Sequence, residues 1–224
     1  VLATGYSLFV VGCAALAGAF TKFFSNEVDL KAAIFFAIPS IIAVYFTRSW
    51  LLPTIPETIF SMDGATLSKD VAILLFFALI MVLSAFSMIW NKGIPLGDIS
   101  HKKLPFWFVF LEGLVVGVIT GLVGAGGGFL IIPALVLFAK LPMKTAVGTS
   151  LVIIALKSLI GFTGDLTAGQ QIEWPFLLAF TGIAVAGIAG GHFLTRYISN
   201  ASLKKGFGYF VLLMAVFIFY NELS

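Results

Sequence analysis

The sequence predicts an all-α integral membrane protein built from two related, inverted repeats. Three observations lead to this fold class: the composition, the length of the apolar runs and a recurring segment. Of the 224 residues, 60% are hydrophobic and only 10% are charged, and the mean hydropathy is +1.12. A soluble domain carries about 25% charged residues, and it could not bury this much apolar surface. The composition therefore excludes soluble classes and indicates a chain whose solvent is lipid.

Six apolar runs match one crossing of the membrane each. A helix needs about 20 residues to span the hydrocarbon core, and the two shorter runs reach that length with their flanking residues. Helices are expected because lipid cannot satisfy the backbone groups of an irregular segment. The predicted crossings are 2–21, 32–47, 71–91, 145–164, 174–195 and 206–221.

A seventh run, 104–139, is too long for one crossing. It is 36 residues long with Glu112 as its only charge, and five of the eight residues 121–128 are glycine. A continuous helix of that length would measure about 54 Å, well beyond one bilayer. The run is therefore predicted to form two arms, about 106–122 and 128–139, joined by a glycine-rich break. The residues expected to break the helix are Gly121 and Pro133.

The basic residues favour a re-entrant hairpin over a single broken crossing. Twelve of the 13 lie outside the spans, Lys157 being the exception. A single crossing would divide them seven to five, whereas a hairpin divides them ten to two, with Arg48 and Lys69 opposed. The positive-inside rule then favours the hairpin and assigns the ten-residue side to the cytoplasm.

The repeat is carried by two short segments. "ATGYSL" at 3–8 matches "AVGTSL" at 146–151, an offset of 143, and at the same offset Gly18 matches Gly161. A repeat of one hairpin and three crossings crosses the membrane an odd number of times, so its second copy is expected to be inverted.

This repeat sets the predicted domain organisation. The first repeat covers 1–103, and the second covers 104–224 and opens with the hairpin 104–139. The offset puts the first repeat's glycine-rich segment upstream of Val1, so we expect this chain to lack it.

The glycine-rich break is the first candidate binding site. Irregular backbone at membrane depth survives only where it is buried in protein or lines a wet cavity. The start of the second arm offers N–H donors and a partial positive charge, and glycines let an anion come close. The stretch has no carboxylate, His or Cys, so it suits an anion and not a metal ion. The alternative is that the glycines only allow tight helix packing. The expected backbone donors are Gly124, Gly126, Gly127 and Gly128.

Three quoted segments resemble a known family. "GLVGAGGGFLIIPALV" and "LPMKTAVGTSLVIIALKSLIG" resemble the second-half signature of the TauE/SafE sulfite exporter family, the toluene-sulfonate uptake permease group. "VLATGYSLFVVGCAALAGAF" is similar to the end of its first-half signature. The resemblance implies two related halves and the transport of sulfite, organosulfonates or related sulfur-containing anions.

Four hydroxyls and one lysine complete the candidate substrate-binding set. Thr149 and Ser150, with their repeat mates Tyr6 and Ser7, place hydroxyls near the start of equivalent helices, where they could donate to sulfonate oxygens. The alternative is a local bond to the backbone one turn back. Lys157 lies within a span and could attract the anion or release a proton as the anion leaves. Its alternative is to snorkel to the interface.

Glu112 is the candidate for proton coupling. A carboxylate in an apolar arm could carry a proton or pair with Lys157. The alternative is a carboxylate that is paired near the interface.

These features predict a secondary transporter that moves a small sulfur-containing anion across the cytoplasmic membrane by alternating access, with export favoured. An anion channel, a proton-coupled uptake permease and a non-transporting assembly or sensor subunit are the alternatives. The motifs of zinc proteases, serine hydrolases and P-loops are absent from the sequence, so no catalytic residue, metal or cofactor is expected. The expected partners are the anion and the lipid bilayer. Nothing points to nucleic acid, and nothing indicates a homo-oligomer.

Overall fold

The computed structural model describes residues 2–56, 58–62, 65–90, 106–123, 128–167 and 173–223. Helices dominate these residues, and six of them are long and apolar enough to cross a membrane. The helices are α1 (Leu2–Phe24), α2 (Leu30–Phe46), α3 (Leu52–Thr54), α4 (Lys69–Trp90), α5 (Phe106–Val123), α6 (Gly128–Leu137), α7 (Met143–Thr167), α8 (Trp174–Thr195) and α9 (Asn200–Leu223). The six spans lie on the six predicted crossings.

The segment between the second and third spans holds structure that the apolar pattern did not predict. A π-helical turn, Thr47–Leu51, carries α2 on into the short helix α3. Two strands, β1 (Thr58–Met62) and β2 (Ala65–Ser68), then pair in antiparallel fashion before α4 begins.

The long apolar run forms two helices, α5 and α6. They have 18 and 10 residues and flank positions 124–127, which lie outside the described residues. Gly121 is inside α5 and Pro133 is inside α6, so the prediction that these two residues break the helix is wrong. The physical reason at Gly121 is packing, because an added Cβ would lie 2.8 Å from the Cβ of Thr47.

Three glycines of α5, spaced four residues apart, hold this helix against α2. Cβ atoms built on Gly113 and Gly117 would lie 2.6 and 2.7 Å from backbone carbonyl oxygens of α2, and Gly121 follows one turn further along. Such spacing lets two helix backbones approach closely in a membrane. The contacts advance in the same direction along both chains, so α2 and α5 run parallel.

The second arm returns along α7. A turn at 138–142 joins α6 to α7 and makes the two helices antiparallel neighbours. A Cβ built on Gly128, the first residue of α6, would lie 3.2 Å from the Cδ1 atom of Ile154. Ile154 is near the middle of the span Met143–Thr163. The ten residues of α6 therefore cover about half the thickness of a bilayer.

The apolar core lies where these elements meet α4 and α9. Its largest fully buried side chains come from several helices, which fixes the two arms in place against the spans. They include Phe36, Met81, Ile131, Ile153 and Val211.

Candidate functional site

Lys157 lies at the centre of a polar cluster between three helices. Its Nζ atom donates to Oγ of Ser40 at 3.0 Å and to Oγ1 of Thr120 at 3.3 Å. Lys157 belongs to α7, Ser40 to α2 and Thr120 to α5. Its ammonium therefore turns inward, toward α2 and the first arm. This geometry favours the site interpretation of Lys157 over snorkelling to the interface.

The two hydroxyls are among the most deeply buried polar groups in the described chain. Ser40 is 0% exposed and Thr120 is 3% exposed. Ser40 follows Pro39, a proline inside α2 that cannot donate a backbone N–H. Thr120 also donates to the carbonyl of Gly117 at 3.1 Å. The two hydroxyls thus supply oxygen acceptors to the ammonium at a depth where lipid supplies none.

The start of α6 contacts α7 one helical turn before Lys157. Gly128 packs on Ile154, and Ile154 precedes Lys157 by three residues on α7. The other predicted backbone donors, Gly124, Gly126 and Gly127, lie outside the described residues. An anion between the first turn of α6 and the Lys157 ammonium could meet both N–H donors and a positive charge.

Glu112 is on α5, two turns before Thr120. Its Oε1 atom is buried and has no hydrogen-bond partner among the residues that the structure describes. The offset of eight residues from Glu112 to Thr120 corresponds to about 12 Å along the helix. A buried carboxylate oxygen without a donor is costly, and this oxygen lacks the partner that a carboxylate paired near the interface would have.

The predicted hydroxyls of α7 are both buried and both engaged. Oγ of Ser150 donates to the carbonyl of Val147 at 2.8 Å, which is the local backbone bond expected if this hydroxyl does not serve the anion. Oγ1 of Thr149 accepts from the backbone N–H of Asp29 at 3.0 Å. Asp29 is the N-cap of α2. Thr149 thereby joins the start of α7 to the start of α2.

Tyr6 makes the corresponding bond at the start of α8. Its hydroxyl accepts from the backbone N–H of Glu173, the N-cap of α8, at 2.7 Å. Tyr6 and Thr149 are repeat mates, and Glu173 follows Asp29 at an offset of 144, one residue more than the repeat offset. Thr149 and Tyr6 therefore make equivalent bonds to the N-cap residues of α2 and α8. Ser7 is exposed and lines an apolar groove of about 390 Å³ between α1 and α8.

Helices α1 and α7, which carry the repeated motif, pack against each other in antiparallel fashion. A Cβ built on Gly18 would lie 3.0 Å from Cδ1 of Leu151, and one built on Gly161 would lie 3.3 Å from Cδ1 of Leu8. At an offset of 143, Gly18 corresponds to Gly161 and Leu8 to Leu151. The two contacts are therefore the same contact made twice, the reciprocal pattern of a two-fold interface.

Several helix ends lie together at one side of the protein. The Asp29–Thr149 bond brings the start of α2 to the start of α7, and the N–H of Lys144 donates to Oδ1 of Asn200 at the start of α9. A cavity lined by Lys22, Lys144 and Arg196 adds the ends of α1 and α8. We call this the basic side. Because α5 is parallel to α2 and α6 antiparallel to α7, α5 starts and α6 ends toward this side.

Ser40, Thr120, Asp29 and Glu173 were not predicted as site residues. Ser40 and Thr120 carry one signal in the sequence, a polar side chain inside an apolar span. Their partner could not be read from the sequence, because Lys157 is 117 and 37 residues away from them.

Comparisons with known proteins agree on a transporter class. The family model described as "Sulfite exporter TauE/SafE" matches residues 1–218. A probable membrane transporter protein of Methanocaldococcus jannaschii is 32% identical over 82% of this chain and 62% of its own length. One from Xylella fastidiosa is 24% identical over 99% of this chain and 80% of its own.

A probable membrane transporter protein of Bacillus subtilis, YunE, is 29% identical over 64% of this chain and 59% of its own length. The chain thus spans less than two thirds of the length of the archaeal and Bacillus relatives. No solved structure matches the chain significantly.

Proposed function

Since the chain belongs to the TauE/SafE sulfite exporter family of multi-pass membrane proteins, we propose that it is a secondary transporter for a small sulfur-containing anion of the sulfite or organosulfonate class. It moves this anion across the cytoplasmic membrane by alternating access. The basic side faces the cytoplasm, and the site lies where the hairpin tip meets Lys157.

The observation that carries this proposal is the Lys157 cluster. A lysine near the centre of a transmembrane helix costs about 2.5–3.5 kcal/mol on insertion scales. Here the ammonium contacts two buried hydroxyls, from Ser40 and Thr120, that belong to different helices. A positive charge held among hydroxyls at this depth is suited to receive an oxyanion, because the ammonium and the Ser40 hydroxyl can donate to its oxygens.

The N-terminus of α6 supplies the second half of the proposed site. Unpaired N–H groups and the helix dipole favour negative charge at this end. Its first residue, Gly128, is level with Ile154, one turn from Lys157. In the proposal, Gly124, Gly126 and Gly127 line the same anion with backbone donors. Glycines at these positions would let the oxyanion reach the backbone.

The inverted repeat supplies the proposed motion. The antiparallel contact of α1 with α7 and the two exchanged N-cap bonds, from Tyr6 and Thr149, are what an inverted pair would produce. In such transporters the two halves rock around a fixed site near the midplane. Thr149 and Tyr6 then act at the joint between the halves, while Ser150 and Ser7 remain candidate contacts of the anion on its way.

The repeat also accounts for an open face on α8. Its equivalent, α2, is covered by the glycines of α5, whereas Gly182, Gly187, Gly190 and Gly191 of α8 have no described atom within 4 Å. We propose that this glycine-rich face of α8 is also a helix-packing surface, as the corresponding face of α2 is.

The membrane potential favours export. An inside-negative potential of 100 mV drives a single negative charge outward with about 2.3 kcal/mol. Proton-coupled uptake is the second candidate, because the buried Oε1 atom of Glu112 provides a place for a proton in the first arm. An anion channel would use the same Lys157 cluster, but its anion flux would not saturate with substrate concentration.

A thermal-shift panel on the purified protein tests the substrate class. Sulfite, thiosulfate, sulfate, sulfoacetate and taurine are compared in neutral detergent at constant ionic strength set with sodium chloride. A bound ligand at 100 times its dissociation constant stabilises the folded state by about 2.7 kcal/mol. We expect at least one sulfur oxyanion to raise the melting temperature above the chloride baseline. If all five leave it at that baseline while the protein binds another membrane protein, the assembly or sensor alternative is favoured.

A further inference from the structure

A second cavity, remote from the Lys157 cluster, opens on the basic side. It has a volume of about 400 Å³ and lies between the end of α1, the start of α7 and the end of α8. Ligand sites in proteins commonly measure about 300–1,000 Å³. The residues that line it are Lys22, Ser25, Glu27, Lys144, His192, Thr195 and Arg196. We call it the basic cavity.

The charge on its walls is positive. Lys22, Lys144 and Arg196 line the cavity, and Glu27 is the only carboxylate among the lining residues that the structure describes. Glu27 forms an ion pair with Lys22, whose side chain is only 6% exposed. Within the described part of the chain no other ion pair is found at this cavity. The charges of Lys144 and Arg196 are therefore not offset by a described carboxylate.

One further group in the wall is short of a hydrogen-bond partner. The Nδ1 atom of His192 is buried and unpartnered among the described residues. In the tautomer that carries a proton there, this nitrogen is a donor. A ligand with acceptor oxygens in the cavity would accept from Lys144 and Arg196, and a turn of the His192 ring would bring this nitrogen to the same ligand.

The walls of the cavity are held in place. A Cβ built on Gly148 would overlap the Glu27 carbonyl oxygen, so the turn after α1 lies directly on α7. The Asp29–Thr149 bond fixes the same turn two residues further on. The N–H of Lys144 is bound to Asn200. The basic cavity is thus formed by packed helix ends and not by isolated surface side chains.

We propose that the basic cavity binds an oxyanion, at a site separate from the one between the hairpin and Lys157. The ligand carries a sulfate, sulfonate or phosphate group, whose several oxygens match lysine, arginine and imidazole donors arranged around one space. Such a group can belong to the headgroup of an anionic lipid, which basic pockets between helices on the cytoplasmic side bind, or to a free anion, which presents the same oxygens.

Calorimetric titration of the full chain with sodium sulfate, in lipid-free neutral detergent at constant ionic strength, tests the free-anion source. The Lys144→Gln/Arg196→Gln variant removes two charge-assisted bonds, so its dissociation constant for sulfate should be at least about tenfold higher. The matched control is Lys140→Gln/Lys205→Gln, which removes two exposed charges of the same side outside the cavity. Lys157→Met should retain this binding, which separates it from the transport site.

Native mass spectrometry tests the lipid source, with phosphatidylglycerol compared with phosphatidylcholine. Retention of phosphatidylglycerol that is lost in the Lys144→Gln/Arg196→Gln variant, with no sulfate binding, assigns the cavity to a lipid headgroup. Glu27→Gln gives an independent check, because removing the carboxylate should tighten binding, an effect that loss of folding cannot produce. The proposal would be overturned if the double variant, its control and Glu27→Gln all bind sulfate equally and all bind phosphatidylglycerol equally.

Discussion

Replacing Lys157 by methionine separates the functional role of the polar cluster from a structural one. The ammonium loses its bonds to Ser40 and Thr120, at 3.0 and 3.3 Å. Bonds to a charged donor contribute about 1.5–3 kcal/mol each, so about 3–6 kcal/mol is lost. Removing a lysine from the membrane interior returns about 2.5–3.5 kcal/mol. The two effects largely offset each other, and methionine has a similar length.

The stability of this variant should therefore fall by no more than about 3.5 kcal/mol. The Thr120 hydroxyl keeps a hydrogen-bond partner after the change, because it still donates to the carbonyl of Gly117 at 3.1 Å. Anion affinity behaves differently, since nothing replaces the lost contact. Loss of one charge-assisted bond to the substrate costs about 1.5–3 kcal/mol, which raises the half-saturating anion concentration by about 10- to 150-fold.

Initial rates in proteoliposomes at graded sulfite concentrations measure this shift, and melting curves in detergent measure stability. Lys31→Met is the matched control, because Lys31 is exposed at the start of α2. Wild-type half-saturation in Lys157→Met would refute the role of the ammonium in binding. A variant that loses its folded state would show instead that the cluster serves structure.

Three further predictions concern the packing of the hairpin, the repeat joint and proton coupling. Gly117→Ala should destabilise the protein by about 1–3 kcal/mol through overpacking, because the added Cβ would lie 2.7 Å from a backbone oxygen of α2. Its melting temperature should fall accordingly, whereas that of Gly206→Ala should not, since a Cβ at Gly206 has no described atom within 4 Å. Thr149→Val and Tyr6→Phe each leave an N-cap amide without its acceptor and should destabilise the protein by about 1 kcal/mol or more; a large effect of one and none of the other would contradict their equivalence. Glu112→Gln should preserve anion exchange and abolish any stimulation of uptake by an inward proton gradient, and unchanged proton-driven uptake would remove Glu112 from the coupling path.

The spans could be predicted because they depend on composition alone. A run of about 20 apolar residues is a helix in lipid wherever it packs, and the six crossings follow. The division of 104–139 followed from length in the same way. The role of Gly121 did not, because the sequence shows a glycine but not the Thr47 side chain that requires it. The strands β1 and β2 were not predicted, because they lie in a segment with no apolar run.

The sequence indicates candidate site residues through local pattern, but it does not show the tertiary contacts that these residues make. Lys157 stands out in the sequence as a charge within a span. Whether it turns inward or snorkels depends on Ser40 and Thr120, which only the packing of α2 and α5 brings near it. Thr149 and Tyr6 were selected for their hydroxyls, and their bonds to the N-cap amides of α2 and α8 appear only in the folded chain.

Counterflow in proteoliposomes tests the central claim most directly. Liposomes containing the purified protein are loaded with unlabelled sulfite and diluted into a trace of radiolabelled sulfite. A carrier that alternates around one anion site predicts transient accumulation of label inside, saturable by external sulfite and absent from unloaded and protein-free liposomes. Uptake that matches protein-free liposomes for sulfite and organosulfonates, or an unsaturable voltage-driven current without stimulation by internal anion, would contradict the account.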